Sequence, residues 1–295
     1  SGVPLHQRIR SRQRRLSQPS DPHARRLRAR GRQRHDGARH RHPALRRARP
    51  AGRDRQPADP TQHVDQLQST DDAYAVQELV RNDLAPEQAA VGRYWKSGAS
   101  SRTADLLSSA LLDAGVWTSP AQARDWPFNM RLIEIEIALK TNRLVTPAEA
   151  ATLTHEQAHA LIGAMAVTIE VVDSRWQQTD QLQPLLKLAD IQTHGALVVG
   201  NWMPYSAQEV ERDWARQRCT VKIGQASAQE FVGTHSTQDP RWLLPFWLRQ
   251  VTAGGASVPA GTVVTTGSWC GMPAAQPGDL VAASFDGVGM TSVQL

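Results

Sequence analysis

The stretch Arg131-Leu-Ile-Glu-Ile-Glu-Ile-Ala-Leu alternates apolar and polar residues and sets two carboxylates, Glu134 and Glu136, two positions apart. On a strand, side chains at i and i+2 share a face, with Cα atoms roughly 6.5–7 Å apart. Two carboxylates held that closely repel unless a proton or a cation lies between them. Oxygen-only ligation suits a hard divalent ion such as Mg²⁺, which keeps positions open for water and substrate. A third carboxylate, Glu170, sits in the apolar run Val167-Thr-Ile-Glu-Val-Val. Burying it there costs several kcal/mol unless it is paired or metal-bound, on the order of the penalties for buried ions. Taken alone, the Ile-Glu-Ile-Glu-Ile pattern more often marks an ordinary half-solvated strand whose glutamates face water.

These groups need strands to hold them, and the pattern supplies several. Arg131–Leu139 and Val167–Asp173 read as strands, Ala196–Gly200 as a short apolar one, and Thr220–Gly224 with Glu230–Gly233 as a pair. Val91-Gly-Arg-Tyr-Trp-Lys-Ser-Gly reads as a strand running into a Gly/Ser loop, and the tail from Thr262 alternates β runs with Gly and Pro turns. Asp71–Leu84 predicts a helix with an acidic start and a stripe of Ala75, Val76, Leu79, Val80 and Leu84. Thr103–Gly115 also looks helical, while Thr146-Pro-Ala-Glu and Thr154-His-Glu-Gln each cap a short helix. Asp239 starts another, with Pro245 as a kink and Gly254-Gly255 as its end. Strands separated by modest helices, without regular βαβ spacing or an internal repeat, predict a mixed, mainly-β α+β fold.

Composition points elsewhere until it is divided along the chain. The 295 residues allow a proper core, and the formal charge is +6. Residues 1–60 hold 18 Arg, no Lys, four Asp and no Glu, a formal +14; residues 61–295 hold 16 basic and 24 acidic residues, a formal −8. Segment 1–60 has no aromatic residue and no sustained period, so we expect it to be disordered by itself. Clustered Arg attracts phosphate whatever the sequence, which makes a nucleic-acid tail one reading. A transit peptide is a second, although an amphipathic pattern is missing. The reading we favour is a non-native leader, because Arg without Lys amid Ala, Gly, Pro and His is what a GC-rich gene gives when read out of frame. The expected catalytic domain is 61–295. Two cysteines, Cys219 and Cys270, suggest neither a disulfide framework nor a thiolate zinc site. No run of 18 apolar residues and no signal-like h-region occur, and a reduced, cytoplasmic location without a membrane or nucleic-acid partner is the expectation.

The ending Gly261-Thr-Val-Val-Thr-Thr-Gly-Ser-Trp-Cys-Gly-Met-Pro, followed by Gln-Pro-Gly-Asp and Phe285-Asp-Gly-Val-Gly, resembles the C-terminal signature of the fumarylacetoacetate hydrolase superfamily. Within it, the resemblance is to the 2-keto-4-pentenoate hydratase and 2-oxohex-3-enedioate decarboxylase branch. Ile133-Glu-Ile-Glu-Ile-Ala is similar to that family's first metal motif, Ile169-Glu-Val-Val-Asp-Ser-Arg to its second, and Leu188-Ala-Asp to its Ala-Asp-Asn segment. The resemblance covers about 230 residues and implies a β-roll with peripheral helices, homo-oligomerisation, and Mg²⁺ or Mn²⁺ on Glu134, Glu136 and Glu170. It further implies Lys96 facing a substrate carboxylate, Asp190 orienting water or the lysine, and Ser268 bonding substrate. The implied activity is hydration of a 2-hydroxydienoate through a metal-stabilised enolate of a small 2-oxo acid. Decarboxylation, C–C hydrolysis of an acylpyruvate and a catalytically silent member remain alternatives. This sequence departs from the pattern at Ile191, where the family has Asn, at His194, where it has a small residue, and in the segment around His235. The family's first sixty or so residues find no counterpart in 1–60.

Overall fold

The computed structural model describes residues 59–60, 66–88, 91–123, 125–177 and 182–295. The expected leader, 1–60, lies outside the described residues except for Asp59 and Pro60.

Two sheets carry the fold. The first has eight strands, with the order β2 (Leu107–Ala110), β1 (Tyr94–Gly98), β11 (Val263–Thr265), β5 (Leu132–Thr141), β6 (Ile162–Val172), β7 (His194–Val199) and β3 (Val116–Thr118), plus β8 (Met203–Pro204) alongside β6. The second runs β10 (Gln229–Val232), β9 (Arg218–Ile223), β12 (Leu280–Phe285), β13 (Gly289–Gln294) and β4 (Ala121–Gln122). Parallel pairs, such as β1 with β11 and β3 with β7, occur beside antiparallel ones, so both the α+β class and the mixed sheet are as expected.

Alternation on the two long strands decides where the core lies. Ile133, Ile135 and Ile137 of β5 and Val167, Ile169 and Val171 of β6 are fully buried. They share one cluster with Val281, Ala283, Phe285 and Val293 of the second sheet. Burying each such side chain contributes about 1.5–3 kcal/mol, so this face fixes the register of β5 against β6. The opposite face of the same strands carries the glutamates.

Helices pack around the edges. α1 (Thr70–Leu84) lies on α4 (Pro184–Ala189), and α2 (Pro147–Thr152) and α3 (His155–His159) lie on α6 (Leu244–Thr252); α5 (Ala207–Val210) is a single turn. Thr146 and Thr154 cap α2 and α3 as their sequences predict, and Ser69 with Asp72 forms a capping box for α1. Three expectations need correction. The buried side of α1 centres on Ala73 and Gln77 while Leu79 is exposed, because the Gln77 amide finds partners in Ser109 Oγ and the Leu188 carbonyl. Thr103–Gly115 is not a helix but β2 followed by a 3₁₀ turn, Asp113–Gly115. Ser97 and Ser108 hydroxyls meet across the β1–β2 pair at 2.8 Å, a cross-strand bond that holds this segment in the sheet. Pro245 lies in the first turn of α6 and opens that helix, where its missing N–H costs nothing.

Candidate metal centre and active site

Glu134 on β5 stands directly opposite Glu170 on β6, and Glu136 stands opposite Thr168. Register therefore places all three carboxylates on one face, and one oxygen from each lies within 4.8 Å of the others. Glu170 and Glu136 are buried at 0% and 1% exposure, which removes the half-solvated-strand reading. On the same face β6 pairs Glu170 with Leu197 and Thr168 with Val199, and those two belong to a small apolar cluster with Leu111, Ala166 and Ile191. The carboxylates thus border a dry wall.

A second row of pairing brings in the counter-charge. Lys96 on β1 is in register with Thr265 on β11, which is in register with Ala138 on β5, two residues from Glu136. Lys96 Nζ donates to Glu170 Oε1 at 2.6 Å and to the Gln192 carbonyl at 3.2 Å, and lies 3.9 Å from Glu134 Oε2. His194 Nδ1 is 3.1 Å from the same Glu170 oxygen. Glu136 Oε2 accepts from Thr265 Oγ1 and from the Gly267 N–H. Glu170 Oε2 is buried and has no hydrogen-bond partner among the described residues. A lone-pair donor left that way fits a cation better than a hydrogen bond.

The electrostatics describe a centre with more negative charge than it can hold. Burial lifts the Glu134 carboxyl to about 8, with Lys96 pulling it back and Glu170 and Glu136 adding to the rise. Burial and then the Glu170 charge lift Glu136 to about 7, against the pull of Lys96, Thr265 and Gly267. For Glu170, burial is outweighed by Lys96 and His194, which hold it below the usual carboxylate value. Burial likewise opposes the charge on Lys96, yet the three carboxylates overcome it and raise its pKa above the ordinary lysine value. Near neutrality Glu134 is therefore mostly and Glu136 partly protonated, and a divalent ion would displace those protons.

The turn that receives Lys96 is strained. Ile191, Gln192 and Thr193 all have left-handed φ, at 52°, 50° and 56°, a conformation that costs non-glycine residues on the order of 1–3 kcal/mol each. A buried polar string holds it: Gln77 Nε2 donates to Ser109 Oγ, and Ser109 Oγ donates to Gln192 Oε1. The Asp190 carboxylate accepts from Ser174 Oγ and from the Arg175 backbone and side chain, so it fixes the start of this turn rather than joining the carboxylates. Ser268 Oγ donates to the Gly271 carbonyl and accepts from Cys270 N–H, bonds that stay within its own turn. Thr265, Gly267, Gln192 and His194 were not assigned to the site from sequence. Thr265 and Gly267 do fall inside the Thr-Thr-Gly-Ser signature, whereas nothing in the sequence marks the left-handed turn. Clefts of about 550 and 560 Å³ lie elsewhere, one against Arg93 and Asp113 and one against Lys222 and Ser284, so concavity alone does not mark this centre.

His235 sits behind the Gly267 turn, buried, with its pKa pushed down by burial to about 4. A histidine depressed in the folded state contributes stability above its unfolded value near 6.5 and loses it as pH falls towards 4. Between pH 7 and pH 4.5 that loss amounts to about 2–3 kcal/mol. Urea unfolding of wild type and His235→Gln at the two pH values should show the wild type losing that much more; equal losses would contradict it.

The family model for the C-terminal region of fumarylacetoacetate (FAA) hydrolase matches residues 115–295, and the chain belongs to that family. No curated protein sequence matches it. Among solved structures, 4-oxalocrotonate decarboxylase from Pseudomonas putida G7, complexed with magnesium and adipate, is similar at 20% identity and a TM-score of 0.67, covering 81% of this chain and 90% of that one. The same enzyme complexed with calcium and acetate gives 19% and 0.66 over the same shares. The 5-carboxymethyl-2-hydroxymuconate delta-isomerase from Mycobacterium smegmatis gives 16% and 0.50, covering 69% of this chain and 78% of that one. At these identities the likeness establishes the fold. Among the described residues no helix is long and apolar enough to cross a membrane.

Proposed function

We propose that this chain is a metal-dependent lyase of the 2-keto-4-pentenoate hydratase type, holding Mg²⁺ or Mn²⁺ on Glu134, Glu136 and Glu170 and adding water to a small 2-hydroxydienoate. The observation that carries the reading is the convergence of three carboxylates in a buried place, with Lys96 the only Lys or Arg paired to them among the described residues. When bound there, a divalent cation supplies Lewis-acid stabilisation of the negative charge that develops on the oxygens of a 2-oxo acid. Lys96 stays an ammonium, committed through two of its N–H bonds to Glu170 and Gln192, and its third is left to meet a substrate carboxylate. Glu134, the most exposed of the three, is lifted by burial to about 8 in the metal-free centre and gives up that proton when it ligates, so its role is to hold the ion. The apolar wall of Leu197, Val199 and Ile191 keeps water from the other side.

Decarboxylation of a related 2-oxo acid is the second reading, favoured by the fold shared with a 4-oxalocrotonate decarboxylase whose structure holds magnesium. Both readings use the same stabilised charge, so the centre specifies the intermediate more narrowly than the bond that breaks. The test is consumption of 2-hydroxydienoates, 2-oxohex-3-enedioate and acylpyruvates with and without Mg²⁺, following ultraviolet loss together with CO₂ release. Mg²⁺-dependent loss of a 2-hydroxydienoate with water added to the product and no CO₂ supports hydration, loss of the enedioate with stoichiometric CO₂ supports decarboxylation, and cleavage of an acylpyruvate to pyruvate supports C–C hydrolysis. No turnover of any of the three by metal-loaded protein would contradict both readings and leave a catalytically silent member of the family.

A further inference from the structure

Gly233–Asp239 is a segment that the proposed chemistry does not use, yet it ties together both sides of the metal centre. Ser236 Oγ donates to the Ala99 carbonyl at 2.7 Å, and Arg102 Nε donates to the Thr237 carbonyl at 2.7 Å, which anchors the segment to the loop leaving the Lys96 strand. Thr234 Oγ1 donates to the Trp269 carbonyl at 2.6 Å, which anchors it to the loop after β11. Between these anchors lies His235, 3% exposed and tilted against the Trp269 ring at 5.4 Å.

The imidazole has one arrangement that satisfies both of its nitrogens. Nε2 faces the Thr266 carbonyl at 2.8 Å, and a carbonyl only accepts, so Nε2 carries the proton. Nδ1 then accepts from the Thr237 N–H at 3.3 Å, with Thr237 Oγ1 also 3.0 Å away. The decisive feature is on the far side of the Thr266 carbonyl. That carbonyl and the Gly267 N–H belong to one peptide group, and the Gly267 N–H donates to Glu136 Oε2 at 2.8 Å. The imidazole, one peptide plane and the carboxylate thus form a continuous chain of hydrogen bonds. Fixing the carbonyl end fixes the plane, and polarising it strengthens the N–H at the other end.

Gly267 shows why the plane needs holding. Its φ is +111°, outside the range that L side chains adopt readily, and a Cβ there would come within 3.4 Å of His235 Nε2. The conformation is one that glycine adopts freely and other residues rarely do. Thr266 Oγ1 donates to the Ile137 carbonyl at 2.7 Å and completes its attachment to β5.

We propose that His235 is a positioning residue for the metal centre, acting through the Thr266–Gly267 peptide to aim and hold the Glu136 carboxylate. The inference rests on the reading of Glu136 as a metal ligand. Groups that orient a metal ligand from behind typically change metal affinity by about 10–100-fold when removed.

The test is Mn²⁺ titration of the full chain, followed by water-proton relaxation, for wild type, His235→Ala, His235→Gln and Leu248→Ala. Leu248 is buried in α6 and reports the effect of lost stability alone. The expected result is Mn²⁺ bound about 10–100-fold more weakly by His235→Ala. His235→Gln should recover most of the affinity, because its amide nitrogen can donate to the Thr266 carbonyl, and Leu248→Ala should bind as wild type does. Wild-type affinity in His235→Ala overturns the proposal, as does a glutamine variant as weak as the alanine one or an equal loss in Leu248→Ala. Should His235→Ala fail to fold, His235→Leu fills the space beside Trp269 and removes only the donor to the Thr266 carbonyl. A weakened Mn²⁺ site in that variant supports the proposal, and an unchanged one overturns it. Absence of any Mn²⁺ site in wild type is a different failure: it removes the metal reading and this inference together.

Discussion

Replacing Glu170 with Gln is expected to weaken Mn²⁺ binding by at least about 100-fold, close to 3 kcal/mol of binding free energy, in a protein that remains folded. Three features make this the proposed ligand with most to lose. Glu170 is fully buried, its pKa is held down by Lys96 and His194 so that it is ionised without help, and its Oε2 has no hydrogen-bond partner among the described residues. Glu134 and Glu136, by contrast, are lifted to about 8 and about 7 and must give up protons before they can ligate. Glutamine keeps the shape and one lone-pair oxygen but removes the charge. Relaxation titration beside circular dichroism checks the result, and near-wild-type affinity in the variant would place the ion elsewhere.

Replacing Lys96 with Met is expected to destabilise the metal-free protein by about 3–5 kcal/mol, the usual cost of stripping the partner from a buried charge. Lys96 is bonded to Glu170 at 2.6 Å and lies 3.9 Å from Glu134, so its loss leaves the carboxylates facing one another without that cation. The sign with pH follows from the shifts. A lysine whose pKa is raised on folding contributes stability throughout the range below its unfolded value near 10.5, and loses it only as pH rises beyond that. At neutral pH the contribution is therefore fully present. As pH falls, protonation of the carboxyls lessens their repulsion, and the gap between the variant and the wild type should narrow. Saturating Mg²⁺ should narrow it as well, by supplying the missing positive charge. Urea midpoints at pH 8 and pH 5, with and without Mg²⁺, measure all of this. A variant as stable as wild type at pH 8 without metal would contradict the account of Lys96 as the counter-charge.

How far the site could be read in advance depends on which physical rule places each residue. Glu134 and Glu136 were legible because strand periodicity fixes their shared face whatever the tertiary structure. Glu170 stood out because a carboxylate inside an apolar run demands a partner. Their meeting was not legible, since it depends on the β5–β6 register, which is set by the isoleucines and valines packing on the opposite face. Lys96 came from family resemblance; its spacing alone gives no reason to expect an ammonium against Glu170. Gln192 escaped because it contributes a backbone carbonyl from a left-handed turn that non-glycine residues rarely adopt. Gln77 explains why the buried face of α1 differs from its apolar stripe: its amide is drawn inside by the string that supports that same turn. In the fold, caps and alternation read true. Thr103–Gly115 misled because cross-strand serine bonds outweigh local helical preference.

The most direct test of the central claim is an anomalous difference map from crystals of the full chain grown with Mn²⁺. A single strong peak per chain among the carboxylates of Glu134, Glu136 and Glu170, displaced by excess Mg²⁺, is the expected result. A peak elsewhere, or none at this position with the three side chains ordered, would contradict it and leave the family fold here without the metal chemistry proposed for it.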